Sequence, residues 1–159
     1  MTGHGIRMID VAAKPVTERR ARASARVRCL ATTVERLRSG SLDKGDALAV
    51  ARLAGVMAAK RTADVVPLCH PLPLDAVEVT VLLPPPGAAG DAMVTIEAVV
   101  RATARTGVEM EALVAATAAA LALYDCCKSI DRGMVIEQVQ LDAKEGGRSG
   151  AWRRQPPPS

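Results

Sequence analysis

Residues 77–128, VEVTVLLPPPGAAGDAMVTIEAVVRATARTGVEMEALVAATAAALALYDCCK, decide how the chain is read. Val77, Val79 and Val81 alternate with Glu78 and Thr80, the period of two that marks a half-buried strand. The run Pro84-Pro85-Pro86-Gly87 with Gly90 cannot continue that strand and predicts a hairpin-like connection. Met93 to Ala104 then returns as a second strand. Thr106-Gly107-Val108-Glu109 has the form of a capping box, which predicts a long helix running to about Lys128.

Working upstream, ASARVRCLATT (23–33) alternates as a strand, with Val27, Cys29 and Ala31 on one face. Thr33 to Arg38 is expected to make a helical turn before the breaker Ser39-Gly40-Ser41. A loop from Leu42 to Gly45 follows, and Asp46 is placed to cap the next helix. That helix, ALAVARLAGVMAAKR (47–61), is apolar on nearly every side, so the domain core and a second chain are both expected to cover it. Pro67, Pro71 and Pro73 hold Val65 to Leu74 extended. Downstream, Asp131-Arg132-Gly133 ends the long helix, and Met134 to Leu141 alternates as a last strand. The order β-α-β-β-α-β predicts one α+β domain over residues 1–159, a ferredoxin-like sandwich with helices packed on an antiparallel sheet. Residues 1–20 are expected to form a loosely held arm and 153–159 a disordered, Pro-rich tail.

Composition narrows the chemistry. Apolar residues make up 49% of the chain, yet there is no Phe, one Tyr (Tyr124) and one Trp (Trp152), so Ala, Val and Leu must fill a closely packed core. A net charge of +4 allows either nucleic acid or a phosphorylated small molecule as partner. RNA-binding domains with this strand order stack bases on strand aromatics, which this chain lacks, so nucleic acid is not expected. Cys29, Cys69, Cys126 and Cys127 form no C-x-x-C pair, and with His4 and His70 they make no recognisable metal set. Reduced, mostly buried thiols and no metal are expected. No signal-peptide pattern is present, and the uncharged helical stretch from Ala112 to Tyr124 is too short to span a bilayer. A cytoplasmic protein without membrane association is the expectation. Neither a P-loop nor G-x-G-x-x-G occurs, which sets aside standard NTPases and dinucleotide enzymes, and no cofactor is expected.

Several clusters could carry chemistry. In Pro67-Leu68-Cys69-His70-Pro71 two prolines stiffen the backbone around an imidazole suited to proton transfer; a hydrogen-bonded structural histidine fits equally. Glu109 is explained by the capping box, whereas Glu111 is free to accept from donor groups such as those of a guanine-derived ring. Asp125 and Lys128 share one helix face, as a proton relay beside a phosphate or as a surface ion pair. Cations that could converge on phosphates are Lys44, Lys60, Arg61, Arg19, Lys144 and Arg148, the last two flanking a Gly-rich loop. Glu111 and Asp125 stand 14 residues apart on one predicted helix, or about 21 Å. They cannot both touch one small substrate from a single straight helix, so a site shared between chains is expected.

The segments KGDALAVARLAGVMAAKRTADVVPLCHPLPL (44–74), TGVEMEALVAATAAALALYDCCKSIDRGM (106–134) and KEGGRSG (144–150) resemble the cyclic pyranopterin monophosphate synthase family, molybdenum cofactor biosynthesis protein C. MIDVAAKPVTERRARA (8–23) resembles its N-terminal motif, so the likeness runs from about Met8 to Trp152. The resemblance implies a lyase that rearranges (8S)-3′,8-cyclo-7,8-dihydroguanosine 5′-triphosphate to cyclic pyranopterin monophosphate with release of diphosphate. It implies a homohexamer, a trimer of dimers, with active sites at dimer interfaces. It puts Asp125 at the catalytic aspartate position with Lys128 beside it, and Lys44 at the loop lysine. Leu68, Cys69 and His70 match one substrate-binding segment, and Met110 with Glu111 the other. Glu109, Arg19 and Lys144 match further pocket positions. Arg148 stands where the family commonly has Lys, and the C-terminal tail is unmatched. A non-catalytic ligand-binding domain of the same fold is the alternative reading.

Overall fold

A computed structural model describes residues 5–87 and 89–156. Along the chain run β1 (Thr17–Leu30), α1 (Ala31–Ser39), α2 (Ala47–Ala59), α3 (Thr62–Val65), β2 (Ala76–Leu82), β3 (Asp91–Ala104), α4 (Glu109–Cys127), β4 (Val135–Glu145) and β5 (Trp152–Arg153). The strands form one antiparallel sheet in the order β2-β3-β1-β4-β5. With α2 and α4 as the crossing helices, this is the expected ferredoxin-like α+β arrangement, extended by a short edge strand.

Several features differ from the sequence reading: the first strand ends at Leu30, Ala31 to Thr33 already belong to α1, and a short α3 follows α2. β1 starts at Thr17, inside the expected arm. Its inner residues Ala21, Ala23 and Ala25 are weak strand formers, but here they pair with Val100, Ala98 and Ile96 of β3, and packing outweighs propensity. β4 runs on to Glu145 because two register shifts against β1 absorb the mismatch, and Gln138 takes φ 53° in that irregular stretch. Trp152 and Arg153 pair with Lys144 and Ala143, so the expected tail begins with a strand residue. The capping box is absent: Val108 occupies the N-cap of α4 without a side-chain cap bond. Instead the Glu109 carboxylate folds back over Gly107, where a Cβ would collide with it. His4 and residues 157–159 of the expected tail lie outside the described residues.

The core follows from the missing aromatics. One face of α4 presents Ala112, Ala115, Ala116, Ala119, Ala120 and Leu123, all buried, and the inner sheet face answers with Val27, Val94, Ile96 and Val100. Small residues let helix and sheet approach closely, which offsets the lack of large side chains. By length and composition α4 could cross a membrane. It is packed as a core helix, bounded by Glu109 and Glu111 at one end and by Asp125 and Lys128 at the other. Asp46 caps α2 as expected, accepting from the Ala49 amide at 2.9 Å. α2 crosses α4 at Gly55, where a Cβ would lie 2.9 Å from both the Ala115 carbonyl oxygen and a Val79 methyl. Gly55→Ala is therefore expected to lose about 1–3 kcal/mol, seen as a lower urea midpoint with an unchanged slope.

Candidate active site

Three clusters emerge, spaced by α4. At its C-terminal end Asp125 is held between two ammonium groups. Lys44 Nζ donates to Oδ2 at 2.5 Å and Lys128 Nζ reaches Oδ1 at 2.6 Å. Lys128 is a helical neighbour, whereas Lys44 comes from the loop ahead of α2, brought in by the packing of α2 on α4. Hydrogen bonding from Lys128 first, and from Lys44 next, pulls the Asp125 carboxyl down to about 2. The same Asp125 bond raises Lys128. All three groups are half exposed, so the cluster is a charged surface feature open to a ligand.

At the N-terminal end Glu111 is only 2% exposed. Its Oε1 lies 3.5 Å from the Cys69 thiol, while Oε2 has no hydrogen-bond partner among the described residues. Burial raises the Glu111 carboxyl, and burial with the adjacent Glu111 charge pushes Cys69 up to about 11. Near neutral pH Cys69 is thus held as the thiol. His70 and Glu111 line a cavity of about 220 Å³ together with Lys60, Arg61 and Asp64. Leu68 and Met110 are exposed beside it. The Pro-rich segment is extended only in its second half: Val65 ends α3, and the Cys69 amide closes a turn on the Val66 carbonyl at 3.0 Å before His70 leads into the irregular run to Leu74.

The third cluster gathers Arg19 from the start of β1 and the loop after β4. Gly146 and Gly147, at φ 91° and 75°, press that loop so closely on Glu18 and Arg19 that a Cβ would collide at either position. Lys144 donates to Ser149. A cavity of about 640 Å³ here is lined by Lys14, Arg19, Arg105, Arg148 and Ser149 among others, and none of its lining residues is acidic. Arg19 Nη2 donates to the Arg105 carbonyl at 3.3 Å. Sequence reasoning does not single out Lys14 or Arg105. Lys14 belongs to the expected arm, and only the turn closed by its amide on the Val11 carbonyl brings it to the pocket.

Among the described residues no group of three or more His, Cys, Asp or Glu could hold a metal ion. Cys29, Cys126 and Cys127 are buried free thiols. One chain thus brings Lys44 to Asp125 and His70 to Glu111, but it keeps these two pairs at opposite ends of a 19-residue helix.

Fold and clusters together define the class: a ferredoxin-like α+β protein whose cations and carboxylates suit a polar, anionic ligand. Comparison with known proteins narrows this. The model of the MoaC family matches residues 8–147. The chain is 55% identical over 149 residues to a cyclic pyranopterin monophosphate synthase of Thermomicrobium roseum, covering 94% of this chain and 87% of that protein. It is 54% identical to cyclic pyranopterin monophosphate synthase 3 of Mycobacterium tuberculosis, over 93% of this chain and 81% of that one. With the synthase of Desulfitobacterium hafniense it shares 49% identity, over 94% and 88%. The chain belongs to the MoaC family.

Proposed function

We propose that this chain is a lyase that converts (8S)-3′,8-cyclo-7,8-dihydroguanosine 5′-triphosphate to cyclic pyranopterin monophosphate, releasing diphosphate, in molybdenum-cofactor biosynthesis. The observation that carries the reading is the Lys44–Asp125–Lys128 cluster, in which a loop lysine 81 residues away in sequence closes on Asp125. Two ammonium groups on one carboxylate leave a net positive charge for an incoming phosphate. Because Asp125 stays ionised, it serves as an acceptor for substrate N–H or O–H groups and as an anchor for the two lysines. The lysines neutralise the charge that develops as diphosphate leaves. His70 supplies an imidazole for moving protons during ring opening and closure. Glu111, with an unpartnered oxygen, suits the N–H edge of a guanine-type ring, with Leu68, Cys69, Met110 and Glu109 around it. Arg19 and Lys144 hold phosphate oxygens beside the basic cavity.

These roles require neighbouring chains to meet, since one α4 separates Glu111 from Asp125 by about 21 Å. α2 supports such an assembly: Val50, Leu53 and Met57 share a face by helical spacing and are all exposed in the single chain, as is Leu121 of α4. A homohexamer built as a trimer of dimers, working in the cytoplasm, completes the proposal. The test is incubation with the cyclised GTP derivative, followed by assay of diphosphate and of a fluorescent pterin after oxidation. Both products are expected in equal amounts; well-folded protein that releases neither refutes the reading.

A further inference from the structure

Asp131 belongs to none of the three clusters, yet it is a carboxylate only 6% exposed. After α4 ends, the Ile130 and Asp131 amides both turn back onto the Cys127 carbonyl, at 2.9 and 3.0 Å. The Asp131 side chain then accepts two hydrogen bonds on one oxygen, Oδ2: from the Leu30 amide and from the Thr33 hydroxyl, each at 2.9 Å. Leu30 is the last residue of β1 and the N-cap of α1, where its own side chain makes no cap bond. Asp131 therefore accepts from the N-cap amide, from about a hundred residues downstream, the bond that the N3 carboxylate of a capping box would take from within α1. Its negative charge also lies at the positive end of α1.

The two segments joined in this way are the ones that feed the charge cluster. The last turn of α4 carries Asp125 and Lys128, and α1 leads through residues 40–46 to Lys44. We infer that Asp131 is a positioning residue: it keeps the end of α4 in register with the β1–α1 corner, so that Lys44 and Lys128 close together on Asp125. Loss of the brace unties the two segments, because the Leu30 amide and the Thr33 hydroxyl both lose their buried acceptor and the turn after α4 loses its link to them. The groups that set the Asp125 charge state are Lys128 on its own helix and Lys44 from the facing loop.

The inference predicts a divided outcome for two substitutions in the full chain. Asp131→Asn can still offer one amide oxygen to both donors, whereas Asp131→Ala offers none. The readout is the Asp125 side-chain carboxyl carbon, followed by NMR from pH 7 down to about 3, with an unperturbed aspartate titrating near 4. The original chain and Asp131→Asn are expected to keep Asp125 ionised throughout. Asp131→Ala should show Asp125 titrating higher than in the original chain, as the Lys44 contact is lost while the helical neighbour Lys128 stays, with turnover reduced about 10- to 100-fold. A folded Asp131→Ala protein whose Asp125 titrates as in the original chain overturns the inference, whatever its activity. Should that variant not fold, Thr33→Val removes one of the two bonds and is read identically; a smaller shift in the same direction supports the brace, and no shift overturns it. The link to turnover rests on the proposed activity, but the titration does not. A shifted Asp125 in a chain that never makes product leaves the brace standing and removes only the catalytic reading.

Discussion

Asp125→Asn is expected to cut turnover by about 10²- to 10⁴-fold while leaving the fold intact. The substitution changes no volume and removes one charge from an exposed cluster, so nothing in the core responds. What disappears is the anion that holds Lys44 and Lys128 within 2.6 Å of one residue. Without it the two ammonium groups repel each other, and the loop carrying Lys44 loses its only side-chain bond to α4 among the described residues. An amide is also a poorer acceptor for a reacting N–H or O–H group. Steady-state release of diphosphate, with circular dichroism as the check on folding, measures both halves of the expectation. A non-catalytic ligand-binding domain would tolerate the change, so full activity in this variant would favour that alternative.

The pH dependence follows with its sign. The folded-state carboxyl of Asp125 lies at about 2, below its ordinary value near 4. Its stabilising contribution is present above that ordinary value and is lost only as pH falls through the folded one. Between about pH 5 and 8 Asp125 is therefore ionised and adds no acid limb to the rate profile. Any limb in that range must come from another group.

A larger qualitative effect is expected from mixing two inactive proteins. Asp125→Asn spoils one end of α4 and Glu111→Gln the other. If each site takes its Asp125 from one chain and its Glu111 from a neighbour, a mixed pair has one site with both defects and one with neither. Random reassembly of equal amounts should then restore about a quarter of the original activity, since half the pairs are mixed and half their sites are intact. The mixture is assayed after dilution from mild denaturant, with each variant reassembled alone as control. Activity no higher than the mean of the controls would mean that every site draws both residues from one chain. That outcome contradicts the separation imposed by a straight 19-residue helix.

Much of the fold could be read in advance where polar and apolar residues alternate cleanly. β2 and β3 follow the valine and isoleucine pattern, and α4 follows its long alanine-rich run to within a residue at its C-terminal end. The start of β1 is harder, because Glu18, Arg19 and Arg20 read as solvated charge until β3 is seen pairing with all three and β4 with Arg20. β5 is two residues long, too short for any periodicity. In the candidate site Asp125 with Lys128, and Cys69-His70, are local patterns visible from spacing. Lys44 reaching Asp125, Cys69 reaching Glu111 and Lys14 reaching the basic pocket are not, because each depends on how distant segments are folded against one another.

Sequence alone set the order of the four long strands and the two crossing helices, an aliphatic core without phenylalanine, and a carboxylate at each end of one helix. Those properties depend on local periodicity, composition and the fixed rise of an α-helix, all of which act along the chain. Tertiary packing settles which cation meets which acid, that Glu111 is buried with an unpartnered oxygen, and that Asp131 accepts from the N-cap amide of a helix about a hundred residues upstream. Such contacts arise when elements remote in sequence pack on one sheet, and no local rule encodes the distances between them.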